Sequence, residues 1–147
     1  MTYAIGDVAE KFNLSISTIR YYDKRGLLPF VSKNKSGHRA FTDSDLKMLY
    51  TVCCLKDTGM SIEHIRDYIS AVMAGDTTID DRIAMLKDHR ETILRQQAVL
   101  QESLAEIDLK LENYQAPDAH TFVQKEVAYV NQEKARAGLK KPFQVKR

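Results

Sequence analysis

Between Ser15 and Gly26 the chain reads SISTIRYYDKRG, a stretch dense in hydroxyls, cations and phenols. Ser17, Thr18, Arg20, Tyr21, Tyr22 and Lys24 all fall within it. Hydroxyls and phenols donate to phosphate oxygens, and an arginine presents a fork of donors that suits a phosphate or a guanine edge. Ser15 is positioned to cap a short helix and Gly26 to end it in a left-handed turn. Such a helix turns Ile16 and Ile19 inward and leaves Ser17, Thr18, Arg20, Tyr21, Lys24 and Arg25 on its outer surface. Taken alone, the segment also fits an ordinary solvated basic helix. Its neighbours decide between the two.

A second set of cations follows. Lys33, Lys35 and Arg39 lie in a run with no acid between Asp23 and Asp43. The run Leu27–Val31, a polar loop with Ser36-Gly37 near its turn, and Arg39–Phe41 read together as a short β-hairpin, with Pro29 restricting the first strand to an edge. Beside a basic helix, such a hairpin is a wing placed to grip a phosphate backbone; the bland alternative is a solvated loop.

The elements that must hold these groups can be read around them. Ile5, Val8, Ala9 and Phe12 repeat at helical spacing, in a helix whose start at Ala4 has no capping hydroxyl. Asn13-Leu14 then turns the chain into the basic helix, giving a helix-turn-helix. Thr42 and Asp45 form a capping box for a helix carrying Leu46, Leu49, Tyr50, Cys53 and Leu55 and ending at Gly59. Ser61 caps a further helix with Ile62, Ile65 and Ile69 inside, and the Lys56–Ser61 turn is a candidate second wing.

From Ile79 to Tyr114 the pattern changes. Ile79, Ile83, Leu86, Arg90, Ile93, Gln97, Leu100, Leu104, Ile107, Leu111 and Tyr114 alternate four and three apart. That is a coiled-coil seam on a helix about 54 Å long, with Arg90 and Gln97 as its polar positions. So small a domain cannot bury such a stripe, so a partner chain is expected, with Ile83, Leu86, Ile93, Leu100, Leu104, Ile107 and Leu111 at the interface. Pro117 breaks the helix, and residues 118–137 form one more, ending at Gly138. The expected division is 1–75 for the DNA-binding domain, 76–115 for the dimerisation helix, and 116–147 for a short helix and a basic, partly disordered tail.

Composition bounds the function. The chain has 147 residues, is 44% hydrophobic and carries a net charge of +2. The charge is uneven: residues 76–118 hold five Lys/Arg against ten Asp/Glu, and residues 119–147 hold seven against two. DNA contact must therefore come from a local patch. No apolar run approaches the roughly 20 residues that span a bilayer, and the start lacks the features of a signal peptide, so a cytoplasmic location with no membrane partner is expected. Cys53 and Cys54 are adjacent, so no disulfide framework forms within one chain. His38, His64, His89 and His120 have no ligand spacing, and there is no phosphate-binding glycine loop or nucleophile–base signature. Neither a metal, a cofactor nor an enzymatic activity is expected.

The order of these elements, with Arg20-Tyr21-Tyr22 followed by Gly26-Leu27-Leu28-Pro29, and His38-Arg39-Ala40-Phe41-Thr42 closing the wing, resembles the MerR family of bacterial transcriptional regulators over residues 3–114. The resemblance implies a mainly α fold: a winged helix-turn-helix with a small β-hairpin wing, then a long antiparallel coiled-coil dimerisation helix. It implies a homodimer that binds a palindromic promoter operator in double-stranded DNA, distorts an overlong spacer and lets RNA polymerase engage, which is indirect readout. It assigns Arg20 and Tyr21 to recognition-helix contacts, Tyr22 beneath or beside them, and Arg39 to the wing. Phe41 stands where a tyrosine is more usual in the family. The chain is most similar to the short aldehyde- and nitrosative-stress branch, which makes Cys54 a candidate sensor whose thiol needs nearby cations to lower its pKa. The plain alternative for both cysteines is a small core residue. An architectural or recombination-accessory DNA-binding protein is the alternative function.

Overall fold

The computed structural model describes residues 1–144. The element order is α1 (Ile5–Phe12), α2 (Ile16–Lys24), β1 (Ser32–Lys33), β2 (Arg39–Ala40), α3 (Asp43–Asp57), α4 (Ile62–Met73), a 3-10 turn (Gly75–Thr78), α5 (Ile79–Gln115) and α6 (Ala119–Arg136). Contacts group the chain into two compact units, residues 1–94 and the described residues from 95 onward. The division falls inside α5.

In the first unit local signals set the element ends. Asp7 accepts from the Ala4 amide at 3.3 Å, which offsets the missing hydroxyl at the start of α1. Asn13, with φ of 52°, ends α1 in a left-handed turn. Ser15 Oγ accepts from the Thr18 amide at 3.0 Å. At the other end of α2, Gly26 takes φ of 79° and the Leu27 amide donates to the Tyr22 carbonyl at 3.0 Å. Thr42 and Asp45 exchange cap hydrogen bonds at α3, and Ser61 accepts from the His64 amide at 3.1 Å at α4.

Packing revises several expected core positions. Ile19 is buried but Ile16 is exposed, and the inward position one turn after Ile19 is taken by Tyr22. Ile16 and Tyr22 each lie three residues from Ile19, so the spacing allows either face; Tyr22 is the one that joins the buried core cluster with Ile19. On α3 the buried row is Leu46, Leu49, Val52 and Leu55, whereas Tyr50 is exposed and Cys53 half-buried. Leu27, Leu28 and Val31 do not form the expected strand. They are buried as anchors, and β1 begins only at Ser32. Pro29 sits instead in a turn closed by the Val31 amide donating to the Leu28 carbonyl at 3.2 Å. Phe41 is buried and its backbone pairs with Tyr3 at 2.8 and 2.9 Å, so its ring lies in the core.

The hairpin is small. Ser32 faces Ala40 and Lys33 faces Arg39. Asn34 Oδ1 accepts from the Ser36 and His38 amides at 3.0 Å each, shaping the tip, and Gly37 takes φ of 81°.

The early part of α5 packs through Arg82, Met85, His89 and Thr92, a row turned by one residue from the seam. Arg82 Nε donates to Thr78 Oγ1 at 3.1 Å, and its Nη2 reaches the Val72 carbonyl near the end of α4 and the Gly75 carbonyl in the 3-10 turn. His89 is buried, with Nε2 at 2.7 Å from Thr58 Oγ1.

In the second unit, Gln115 ends α5 before Pro117, and α6 ends before Gly138, whose φ is 69°. Asn131 is buried and exchanges two hydrogen bonds with the backbone of Phe143 at 3.0 and 3.3 Å. Asn131 thus holds the chain at Phe143, within the basic tail; residues 145–147 lie outside the described residues.

Candidate nucleic-acid interface

The interface starts at one buried residue. Because Tyr22 points into the core, Arg20, Tyr21 and Lys24 are carried to the outside of α2. All three are exposed, as is Ser17, and Thr18 is half-buried. Ser15 Oγ lies 2.9 Å from Ser17 Oγ and 2.8 Å from Thr18 Oγ1, so the three hydroxyls form one cluster at the helix N-terminus. Such a terminus carries partial positive charge and favours an anion.

Tyr21 is held from its far side. Arg25 Nη1 donates to the Tyr21 hydroxyl at 3.3 Å, and the guanidinium carbon lies 5.8 Å from the ring centroid. The Tyr21 and Tyr22 rings are 6.3 Å apart and tilted by 48°. Tyr22, at 7% exposure, supports Tyr21 from within instead of sharing the outer face. Burial pushes its phenol above the ordinary value, with Cys53 and Asp57 adding to the shift.

The wing adds Lys33 and Lys35, both exposed on the hairpin. Arg39 differs. Its Nε and Nη2 donate to the two carboxylate oxygens of Asp23 on α2, each at 3.0 Å, and its Nη1 donates to the Val31 carbonyl. All three guanidinium nitrogens are engaged inside the domain. A cleft of about 390 Å³ separates α2 from the wing, with Arg20, Lys33 and His38 among its lining groups.

Two further cations lie beside these groups and were not among the candidates named from the sequence. Arg25 was visible as an i, i+4 partner of Tyr21. Arg66 was not. It comes from α4 to within contact of the α2 terminus, where a side chain in place of Gly26 would meet its Nε at 3.4 Å. No local pattern links positions 26 and 66.

The remaining candidates lie elsewhere. Cys54 is exposed on α3 and Cys53 is half-buried, so Cys54 is not a core residue. Burial raises the Cys53 thiol pKa, with Asp57 and then Cys54 adding to the shift. Of the seam residues, Ile83, Leu86, Leu100, Leu104, Ile107 and Leu111 are exposed and Ile93 is half-buried. Among the described residues, no three His, Cys, Asp or Glu side chains group as a metal site. No described helix is long and apolar enough to cross a membrane.

Both the sequence and the fold match a known family. The model for MerR HTH family regulatory proteins matches residues 3–72, and that for the MerR DNA-binding region matches residues 46–110. An uncharacterized HTH-type transcriptional regulator of Haemophilus influenzae is 40% identical over 119 residues, covering 81% of this chain and 88% of its own length. The HTH-type transcriptional regulator AdhR of Bacillus subtilis is 34% identical over 90 residues, covering 61% of this chain and 64% of its own. Among solved structures, HiNmlR, a MerR family regulator lacking the sensor domain and bound to promoter DNA, is 40% identical with a TM-score of 0.73; the match covers 78% of this chain and 91% of that one. A MerR family regulator from Bacillus thuringiensis gives 41% identity and a TM-score of 0.72 over 78% of this chain and all of that one.

Proposed function

This chain belongs to the MerR family of HTH regulatory proteins, and from that premise we propose that it is a sequence-specific transcriptional regulator acting on promoter DNA. The observation that carries the proposal is the likeness over 91% of HiNmlR, a protein crystallised on promoter DNA. The exposed cations and hydroxyls of α2 and the wing support it, because they present a local positive surface on a chain of nearly neutral net charge.

In this reading Arg20 and Tyr21 enter the major groove. Ser17, Thr18 and Lys24 meet phosphates beside it, and Lys33 and Lys35 hold the backbone from the wing. Tyr22 and Arg39 act by holding these groups in place. The exposed stripe of α5 pairs with the same stripe of a second copy, antiparallel, so two half-sites of a palindrome are read together. The dimer bends and untwists its promoter, and the added contacts offset the deformation cost. RNA polymerase then engages the distorted site. The protein works in the cytoplasm as a regulator, with no enzymatic step. Cys54, exposed on α3, receives an electrophile such as an aldehyde, because its position leaves the thiol open to solvent.

Footprinting on DNA upstream of the protein's own gene tests the proposal. The expected result is protection of a palindromic site, kept against excess competitor DNA at physiological salt. Binding that competitor removes equally from every sequence would overturn it. The same promoter in an in vitro transcription assay, with and without aldehyde, compares wild type with Cys54→Ser. An unaltered response in the variant removes the sensor role and leaves DNA binding intact.

A further inference from the structure

We propose that Asp23 and Arg39 form a brace that fixes the wing against helix α2 and thereby sets DNA affinity without either side chain touching DNA. The inference rests on the DNA-binding reading given above. Three observations lead to it.

First, the geometry is complete. Arg39 Nε and Nη2 each lie 3.0 Å from a different oxygen of Asp23, a fork-to-fork pair, while Nη1 holds the Val31 carbonyl just before β1. One guanidinium thus joins α2, β2 and the approach to β1. Its side chain is 31% exposed and that of Asp23 29%. The pair is therefore partly shielded from the salt screening that weakens surface ion pairs.

Second, the wing needs such a tie. Its sheet consists of two residue pairs, and a hairpin so short has little stability of its own. Lys33 stands directly opposite Arg39 across the hairpin. Fixing Arg39 fixes the strand from which Lys33 projects. Asp23 follows Arg20 by three residues on α2. The brace therefore sets the spacing between the groove-facing and the backbone-facing cations.

Third, Asp23 stands out by its charge. It is the only acid between Glu10 and Asp43, set in the most basic part of the unit. A carboxylate beside a polyanion repels it, so an acid on this face lowers affinity unless its structural effect outweighs its charge.

That opposition makes the test decisive. Affinity for a promoter fragment is measured across a salt series for the wild type, Asp23→Asn, Arg39→Gln, Arg39→Lys and the double variant Asp23→Asn/Arg39→Gln. Hydrogen exchange at the wing amides is followed in the DNA-free proteins, and thermal melts establish that each variant is folded. By charge alone Asp23→Asn tightens binding; a brace requires it to weaken binding, by about tenfold for the loss of a charge-assisted pair. Arg39→Lys keeps the charge but cannot make the fork, so it falls as far as Arg39→Gln. The double variant is no weaker than either single one. The slope of log affinity against log salt stays at the wild-type value in all four, whereas a lost phosphate contact lowers it by about 0.9. Wing amides exchange faster in each variant.

Tighter or unchanged binding in Asp23→Asn overturns the brace. So does full activity in Arg39→Lys combined with a lowered slope in Arg39→Gln, which marks Arg39 as a phosphate contact. If the wild type itself binds no specific DNA, the functional reading fails, and wing exchange alone judges the brace: unchanged exchange in Asp23→Asn rejects it.

Discussion

Arg20 and Tyr22 lie two residues apart on α2 and serve opposite purposes. Tyr22 is buried and Arg20 is exposed, so the helix is anchored by one and presents the other. Arg20→Ala is expected to weaken operator binding by about tenfold or more, the usual cost of a lost base-contacting arginine. Tyr22→Phe, which keeps the buried ring, is expected to leave affinity unchanged. Fluorescence anisotropy with a labelled operator checks both, and equal losses would mean that the Tyr22 hydroxyl reaches DNA after all. The adjacent cysteines separate in the same way. The exposed Cys54 is expected to be alkylated first by iodoacetamide near neutral pH. The raised pKa of Cys53 keeps less of it as the reactive thiolate there, so its labelling should accelerate only as pH rises beyond the range of an ordinary thiol. Mass spectrometry of timed digests reads the order; prior labelling of Cys53 would contradict it.

At the scale of elements, α5 carries two stripes. Arg82, Met85, His89 and Thr92 are shielded in the first unit, while the neighbouring row of Ile79, Ile83 and Leu86 stays open. In the second unit Leu100, Leu104, Ile107 and Leu111, members of the same series in the sequence, are exposed as well. An apolar stripe of this length left in water favours association. Leu104→Asp with Ile107→Asp is therefore expected to give monomers that hold a half-site weakly. Light scattering gives the mass, and a dimer of normal mass would remove α5 as the pairing element. The seam was legible because eleven positions alternate four and three apart along one helix. The inner row was not, because three of its four residues, Arg82, His89 and Thr92, are polar and periodicity records only apolar positions. The strand assigned to Leu27–Val31 failed for a related reason. A short apolar run reads alike as a strand or as a buried connection, and only contact with the core decides between them.

At the scale of the whole molecule, the first unit is closed by a polar joint. The Thr58 hydroxyl donates to the Cys54 carbonyl at 2.7 Å, which leaves its oxygen to accept from His89 Nε2. The turn after α3 is thus fixed to α5. His89→Ala is expected to cost about 1–3 kcal/mol of stability, the range for disrupting a buried hydrogen bond. Urea unfolding at neutral pH measures it, and an unchanged midpoint would show that the joint contributes nothing net. In the second unit Asn131 performs a similar service for the chain around Phe143.

The amino-acid sequence by itself determined whatever depends on near neighbours. Ser15, Thr42 and Ser61 cap their helices, Gly26 and Gly138 follow theirs with positive φ, Pro117 marks a break, and the basic face of α2 follows from residues a turn apart. These are interactions within three or four residues, so their spacing carries the information. Tertiary structure decided which of two possible faces of α2 and α3 turned inward. It also decided that Arg39 faces Asp23 across 16 positions and that Arg66 arrives at Gly26. Each of those outcomes depends on groups far apart in the chain. Burial and pairing then choose among local arrangements whose energies differ little until the core forms.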